Sequence, residues 1–399
     1  MTRQAIGRQW IVAIYPATFP VTLGWPQGPL PLSLGSLRAD AATRATYYPL
    51  RTVRLLYGEP DRPRRWYKET KVQADTATVI ALETLRLDDQ SGLVLVHMRT
   101  DDILATARAL AGRAGGALSG FDIRQLAPEL NIPTVSPYTL AFVTPGRRLP
   151  RLYNSPRYLR WSAVDQWLWA LASRTSQDDY PPDLIEIGRH DQHFLRLSAD
   201  WSAMILRDGM ALVGTRPDRG TSDPFYNHAT LYARSIYIDA LLIGLLQLHG
   251  ITNIEEAVAS ASVTLTDPAM AGLERHVTYF RHRLWWQHLS AHGVPNQILG
   301  AFHRQHRLPE RFEQILAEIS DFNRLARDDE ARNINNSAVL FTVITVPVGI
   351  GLALLQAMGH ADSHVFIVVI AACLGFSLLM LMTRPGRLCI RTVRRHFTS

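Results

Sequence analysis

The 399-residue chain has only two cysteines, two lysines (Lys68 and Lys71) and a charged fraction of 19%, below the roughly 25% usual in soluble proteins. Two cysteines cannot build a disulfide framework. Cys373 lies in an apolar run and Cys389 in a basic tail, so pairing is not expected and the polar part should sit in a reducing compartment. With so little lysine, almost all positive charge is arginine, which reads as base composition rather than as a phosphate-binding device. The N-terminus offers no signal peptide, because its apolar stretch at 10–15 is short and is followed by Pro16. No Gly-Lys-Ser/Thr loop, Gly-x-Ser-x-Gly, His-Glu-x-x-His or convincing acid pair occurs. Catalysis therefore has no support and an enzyme is not expected.

What is present sets other bounds. A mean hydropathy of -0.03 excludes a mostly lipid-embedded protein. A 47% hydrophobic content with nine tryptophans excludes a disordered chain. The length suggests two or three structural units. Of the net charge of +7, five arginines in residues 383–399 supply +5 and Asp362 removes one, leaving +3 for residues 1–337. That is a poor nucleic-acid footprint, and no nucleic-acid partner is expected.

Two apolar runs decide the class. Residues 338–358 carry no charge over 21 positions, and 365–382 carry none over 18. At about 1.5 Å per residue the first spans roughly 31 Å, matching a hydrocarbon core of about 30 Å. Only 359–364 separate them, which predicts a two-helix hairpin because lipid leaves no backbone group unpaired. Arg324, Arg327 and Arg332 precede the first run, arginines follow the second, and the connection has neither Lys nor Arg. The positive-inside rule then puts both ends in the cytoplasm, as a multi-pass protein of the inner (plasma) membrane.

The polar part reads in two sections. Residues 1–222 are expected to form an α+β cytoplasmic domain, with strands at 11–14, 79–87, 93–98, 138–143, 194–197, 202–206 and 210–213. Asp208-Gly209 supplies a hairpin turn between the last two strands. Asp101 or Asp102 caps a helix to Arg113, and 161–173 forms an amphipathic helix. Residues 16–35 and 145–156 read as loops. From 223 to 337 strand signals stop. Helices are expected at 225–248, 254–261 and 268–290, and a long stalk runs from Pro309. In it Leu308, Phe312, Ile315, Ile319, Phe322 and Ala326 repeat every seven residues, continuing to Asp329, Asn333 and Asn336. That is the seam of helices packing side by side, within one chain or between chains. No Gly or Pro interrupts it before the membrane, so one helix of about 75 Å is possible. Residues 383–399 form a basic cytoplasmic tail.

An α+β cytoplasmic domain, a long stalk and a two-helix C-terminal hairpin resemble the CorA family of divalent-cation channels, which includes ZntB-like zinc transporters. The match lies in Asn333, Asn335 and Asn336, the VLFTVITV start of the first span, Pro347, and YFRHRLWW at 279–286. The resemblance covers about the last 180 residues. It implies a homo-oligomer, a pentamer, with a pore lined by the first span and Mg²⁺ or Zn²⁺ as the transported ion, with no bound cofactor. The family's Gly-Met-Asn loop is replaced here by Gln356, Ala357, Met358 and Gly359. Met358 offers no hard oxygen, whereas Gln356 would supply a ring of amides.

The pore face follows from spacing. Asn335, Thr342, Thr345, Gly349, Ala353 and Gln356 form one small or polar stripe. Facing an axis, it would ring a cation with hydroxyl and amide oxygens; facing a neighbouring helix, it would allow close packing. His360, Asp362 and His364 alternate in the connecting loop as a candidate pore mouth. His288 with His292, and His303 with His306, could each share a helix face and bind a metal, or simply be solvated or interface side chains. The rival reading is a two-span membrane-anchored sensor or effector, whose cytoplasmic domain binds a ligand or partner and whose hairpin anchors or permeabilises.

Overall fold

The computed structural model describes residues 6–88, 90–113, 118, 121–176, 178–183, 194–264 and 267–357, with 367, 368, 370–372, 375, 376, 378 and 379 beyond them. Within 261–264, 267–269, 325–330, 332–337 and parts of 339–357 only the backbone is described.

A mixed eight-stranded sheet organises the first two hundred residues. Its members are β1 (Ile6–Thr18), β6 (Arg65–Ala74), β7 (Ala77–Arg86), β8 (Ser91–Thr100), β9 (Tyr138–Pro145), β10 (Phe194–Ser198), β11 (Trp201–Ile205) and β12 (Gly209–Gly214). Small hairpins β2 (Leu32–Leu34) with β3 (Leu37–Ala39) and β4 (Gly58–Glu59) with β5 (Arg62–Pro63) flank helices α1 (Ala41–Ala45) and α2 (Leu50–Tyr57). The sheet order is β10-β11-β12-β9-β1-β8-β7-β6. Every neighbouring pair is antiparallel except β12 and β9. The chain between these two carries helix α5 (Ala163–Ser173), as a parallel pair requires a long crossover. Two further helices, α3 (Ile103–Leu110) and α4 (Ile123–Leu126), follow β8.

Caps and turns follow local chemistry. Asp102 accepts from the Ala105 N–H at 3.0 Å at the start of α3. Ser162 and Asp165 make a capping box on α5. The α3 helix ends at Leu110, short of Arg113. Asp208-Gly209 does close the β11–β12 hairpin, with the Leu206 N–H donating to Gly209 O at 2.9 Å. Gly209 is required there, because a Cβ would lie 2.7 Å from Ala172 O.

Strand β1 runs past Pro16, which was expected to close it. Its pairing with β9 stops at Ile14 while its pairing with β8 continues to Thr18. The missing N–H of Pro16 thus falls where one side of the strand is open, the place proline tolerates.

The helices after Gly214 are α6 (Pro224–Ala233), α7 (Ile236–Thr264), α8 (Asp267–Arg283), α9 (Gly293–His306) and α10 (Leu308–Ala357). Asp223 caps α6 on the Tyr226 N–H at 3.1 Å, ahead of Pro224 at the first position. The pattern expected at 225–248 breaks at Arg234 and Ser235, and the one expected at 254–261 is simply the end of α7. Helix α8 stops at Arg283 rather than at 290, and α9 was not anticipated.

The chain divides into two compact units. One comprises residues 1–254 with 276–313, the other 255–275 with 314–399. Residue 222, expected as a boundary, does not separate them, because 223–254 group with the sheet. In the first unit Leu308 and Phe312 of the stalk seam are buried, with the Phe312 ring 5.4 Å from Phe280 and 5.0 Å from Trp285. In the second, Ile315 and Ile319 are buried along with Val258, Met270 and Leu273, and Asn323 donates to Glu274 at 2.6 Å. This stretch of the seam is therefore filled by the chain's own side chains and does not by itself call for another copy.

Among the described residues, the helical stretch Pro224–Ser260 is long and apolar enough to cross a membrane, yet 83% of its apolar window is buried. It is a core helix. The α+β region is as expected. Of the anticipated hairpin, the described residues include the first arm to Ala357 and scattered helical positions at 367–379, and the connection lies outside them.

Candidate functional site

Helix α10 carries the predicted pore face. Asn335 lies on its helical backbone, with its side chain outside the described residues. Thr342, Thr345, Gly349, Ala353 and Gln356 are all exposed. At about 100° per residue these five fall within an arc of roughly 80°. Pro347 and Gly351, on the opposite side of the helix, are half-buried and buried. A Cβ on Gly349 would meet nothing within 4 Å, so packing inside one chain does not explain the small residue there. Thr342 donates its hydroxyl to Ala338 O at 2.8 Å, which satisfies the proton within the helix and leaves the oxygen lone pairs outward. Pro347 has no N–H to give the carbonyl of residue 343. Val346, Ile350 and Leu352, which flank the stripe, are exposed by 49%, 56% and 43%. The loop residues His360, Asp362 and His364 lie outside the described residues.

The histidine pairs resolve differently. His288 and His292 precede α9 on irregular backbone and share no helix face. His303 and His306 do share α9. Of these, His303 is buried, stacks on Trp285 with centroids 5.3 Å apart, and bonds Gln247 Oε1 through Nε2. Gln247 in turn donates to Leu284 O at 2.7 Å and Trp286 O at 3.0 Å. Burial depresses both imidazoles to about 4, so they are neutral core groups. Among the described residues no group of three or more His, Cys, Asp or Glu could hold a metal ion.

A second constellation was not anticipated. Arg44 on α1, Arg65 on β6, Glu83 on β7, His97 on β8 and Asp239 in the first turn of α7 are fully buried together. Arg65 donates to Asp239 at 2.6 Å and to Glu83 at 2.8 Å. Tyr57 adds a bond to Asp239 at 2.6 Å. His97 bonds the other Glu83 oxygen at 3.0 Å, and the Leu30 N–H donates to the first at 2.9 Å. Arg44 lies 3.7 Å from both carboxylates. Burial alone would raise the Glu83 carboxyl, but Arg65, the His97 bond and Arg44 hold it well below the usual range. Burial lowers His97, which therefore stays neutral despite Glu83. Arg234, over the Trp10 ring at 4.2 Å, is brought down to about 10 by burial and by Arg44. The cluster is sealed from water. Its chemistry is that of a clamp between sheet and helix.

Scans against protein-family models, curated proteins and solved structures match nothing. The functional reading thus rests on the chain's own residues. A sequence signal for the clamp did exist: Glu83 stands alone inside an apolar strand and Asp239 inside an apolar helix, and a buried carboxylate calls for a buried partner.

Proposed function

We propose that this chain is a subunit of a homo-oligomeric, pentameric membrane channel or transporter for divalent cations, Mg²⁺ or Zn²⁺, working in the manner the CorA resemblance implies. The observation that carries the reading is the contrast between two apolar helices. The apolar window in Pro224–Ser260 is wrapped in protein. The uncharged end of α10 instead leaves Val346, Ile350 and Leu352 uncovered, as do Ile367, Val368, Phe376, Leu378 and Leu379 of the second run. A water-soluble chain would be penalised for such a surface, whereas lipid accepts it.

Within that reading the threonine–glycine–glutamine stripe faces a shared axis. Hydroxyl and amide oxygens there contact the hydrated ion, and the wall stays otherwise uncharged. His360, Asp362 and His364 present imidazole and carboxylate groups at the outer mouth. Both termini are cytoplasmic, and the arginine tail lies against anionic headgroups, at about 1 kcal/mol per charge.

The test is reconstitution in liposomes with flux assays for Mg²⁺, Zn²⁺, Ni²⁺, K⁺ and Cl⁻. Divalent flux is expected, falling at least about tenfold in Thr345→Leu and Gln356→Leu. One observation favours the second reading, an anchored sensor or effector: Gln356, Ala357, Met358 and Gly359 stand where Gly-Met-Asn would be. A monomeric mass in detergent, or no flux from assembled protein, would select it.

A further inference from the structure

Within the first unit, the connection from β9 to α5 reads GRRLPRLYNSPRYLRWS over residues 146–162. It carries five arginines and no acid. One arginine is spent on the fold: Arg151 donates to Tyr158 O and to Trp161 O, each at 2.7 Å. The Leu152 and Tyr153 N–H groups donate to the side-chain oxygen of buried Gln166 at 2.8 and 3.0 Å. The Trp167 indole donates to Pro150 O at 2.8 Å. Tyr153, Tyr158, Trp161 and Trp169 are buried and pack their rings on one another. The loop is thus pinned from beneath, with its aromatic groups already used.

The other four arginines are left to the solvent. Arg147, Arg148, Arg157 and Arg160 are exposed, and none of them forms a salt bridge among the described residues. Arg157 lies over the Tyr158 ring at 5.1 Å, and a stacked guanidinium keeps its N–H fork free for a phosphate. Asp165, the first acid after the loop, is committed to the Ser162 hydroxyl at 2.6 Å in the cap of α5. Between Arg157 and Arg160 stands Leu159, 64% exposed and the one large apolar side chain this loop presents. An isolated exposed leucine is ordinary. One flanked by unpaired arginines on a pinned loop has the chemistry of a membrane-interface contact, in which the apolar tip enters the headgroup boundary and the cations meet anionic lipid. A single-stranded nucleic acid would want exposed rings for stacking, and the rings here are buried. A protein partner would want a hydrophobic interface core, and Leu159 stands alone.

We propose that this loop docks on a membrane surface rich in anionic phospholipid, with Leu159 entering the interface and Arg147, Arg148, Arg157 and Arg160 facing headgroup phosphates. Each arginine near such a surface strengthens attachment by about fivefold. Docking does not depend on ion transport, since it is read on vesicles separate from the lipid that holds the chain.

The experiment uses the full chain in phosphatidylcholine nanodiscs at about 0.15 M salt, where long-range attraction is screened. Vesicles of phosphatidylcholine, alone or rich in phosphatidylserine, are added and co-sedimentation is measured. An environment-sensitive dye on Leu159→Cys, in a Cys373→Ser/Cys389→Ser background, reports contact at the loop itself. A dye on Val21→Cys is the control. Strand β1 pairs Ile6 with Pro145 at one end and stops at Thr18 at the other, so exposed Val21 marks the far end of the sheet. Binding to the anionic vesicles is expected, with a blue shift of the Leu159 dye and none of the Val21 dye. Arg157→Gln/Arg160→Gln, at exposed positions where circular dichroism should show the fold intact, should cut binding at least about tenfold. The Leu159 shift should survive Arg391→Gln/Arg394→Gln/Arg395→Gln in the basic tail, and excess inorganic phosphate should not reverse it. Overturning results are equal binding to neutral vesicles, an unmoved Leu159 dye, loss of binding only in the tail variant, or a shift that polyglutamate or free phosphate reproduces.

Discussion

Arg65 and Asp239, 174 positions apart in the chain, meet at 2.6 Å with neither side chain exposed to water. One belongs to an edge strand of the sheet and the other to the first turn of a core helix. Removing one partner leaves a buried charge unpaired. Asp239→Asn should therefore destabilise the protein by about 3–5 kcal/mol, whereas Arg65→Met with Asp239→Leu should cost less than the single changes suggest. A double-mutant cycle by chemical denaturation checks this.

That relationship shows what was legible and what was not. Seven strands of the sheet follow from runs of branched and aromatic residues, and their cores match the expectation. The eighth, β6, reads RWYKETKVQA; it is an edge strand, where charge is placed to block further pairing, and that charge hides it from a hydrophobic pattern. Helix α9 was hidden by its histidines, of which His303 is buried. That Thr342, Thr345, Gly349, Ala353 and Gln356 share one side of α10 was legible from spacing alone, and all five are exposed.

Acid should weaken the fold before it reaches the carboxylates. His303 and His306 are held at about 4 in the folded state, against about 6.5 when unfolded. Between those values the unfolded chain binds protons that the folded chain does not, so stability falls as pH drops from about 6.5 toward 4. Glu83, depressed in the fold, adds a loss at still lower pH. A decrease of roughly 2 kcal/mol per imidazole, about 4–5 kcal/mol for the two, is expected between pH 7 and pH 4.5. Unfolding midpoints across that range should show it, with a shallower slope in His303→Gln.

Gly244 sits mid-helix in α7, where alanine ordinarily stabilises by about 1 kcal/mol. Here a Cβ would lie 2.7 Å from the Phe302 ring of α9. Gly244→Ala should instead destabilise by about 1–3 kcal/mol. Gly272, with nothing within 4 Å of its Cβ position, is the control, and Gly272→Ala should be neutral or stabilising. The thermal midpoint should fall for Gly244→Ala and hold or rise for Gly272→Ala.

A charge on the uncovered face of α10 tests the lipid setting. Ile350→Lys should weaken membrane insertion by about 2.5–3.5 kcal/mol, read as a larger soluble or degraded fraction after membrane flotation. Arg148→Lys, at an exposed position far from the apolar runs in sequence, should float like the parent chain.

Single cysteines placed along α10, in a Cys373→Ser/Cys389→Ser background reconstituted in liposomes, test the central claim most directly. A small water-soluble thiol reagent should label Thr345→Cys, Gly349→Cys and Gln356→Cys, while Val346→Cys and Ile350→Cys react only with a lipid-soluble one. Uniform labelling of all five by the water-soluble reagent, or none at the stripe, would contradict a wet axis lined by this helix.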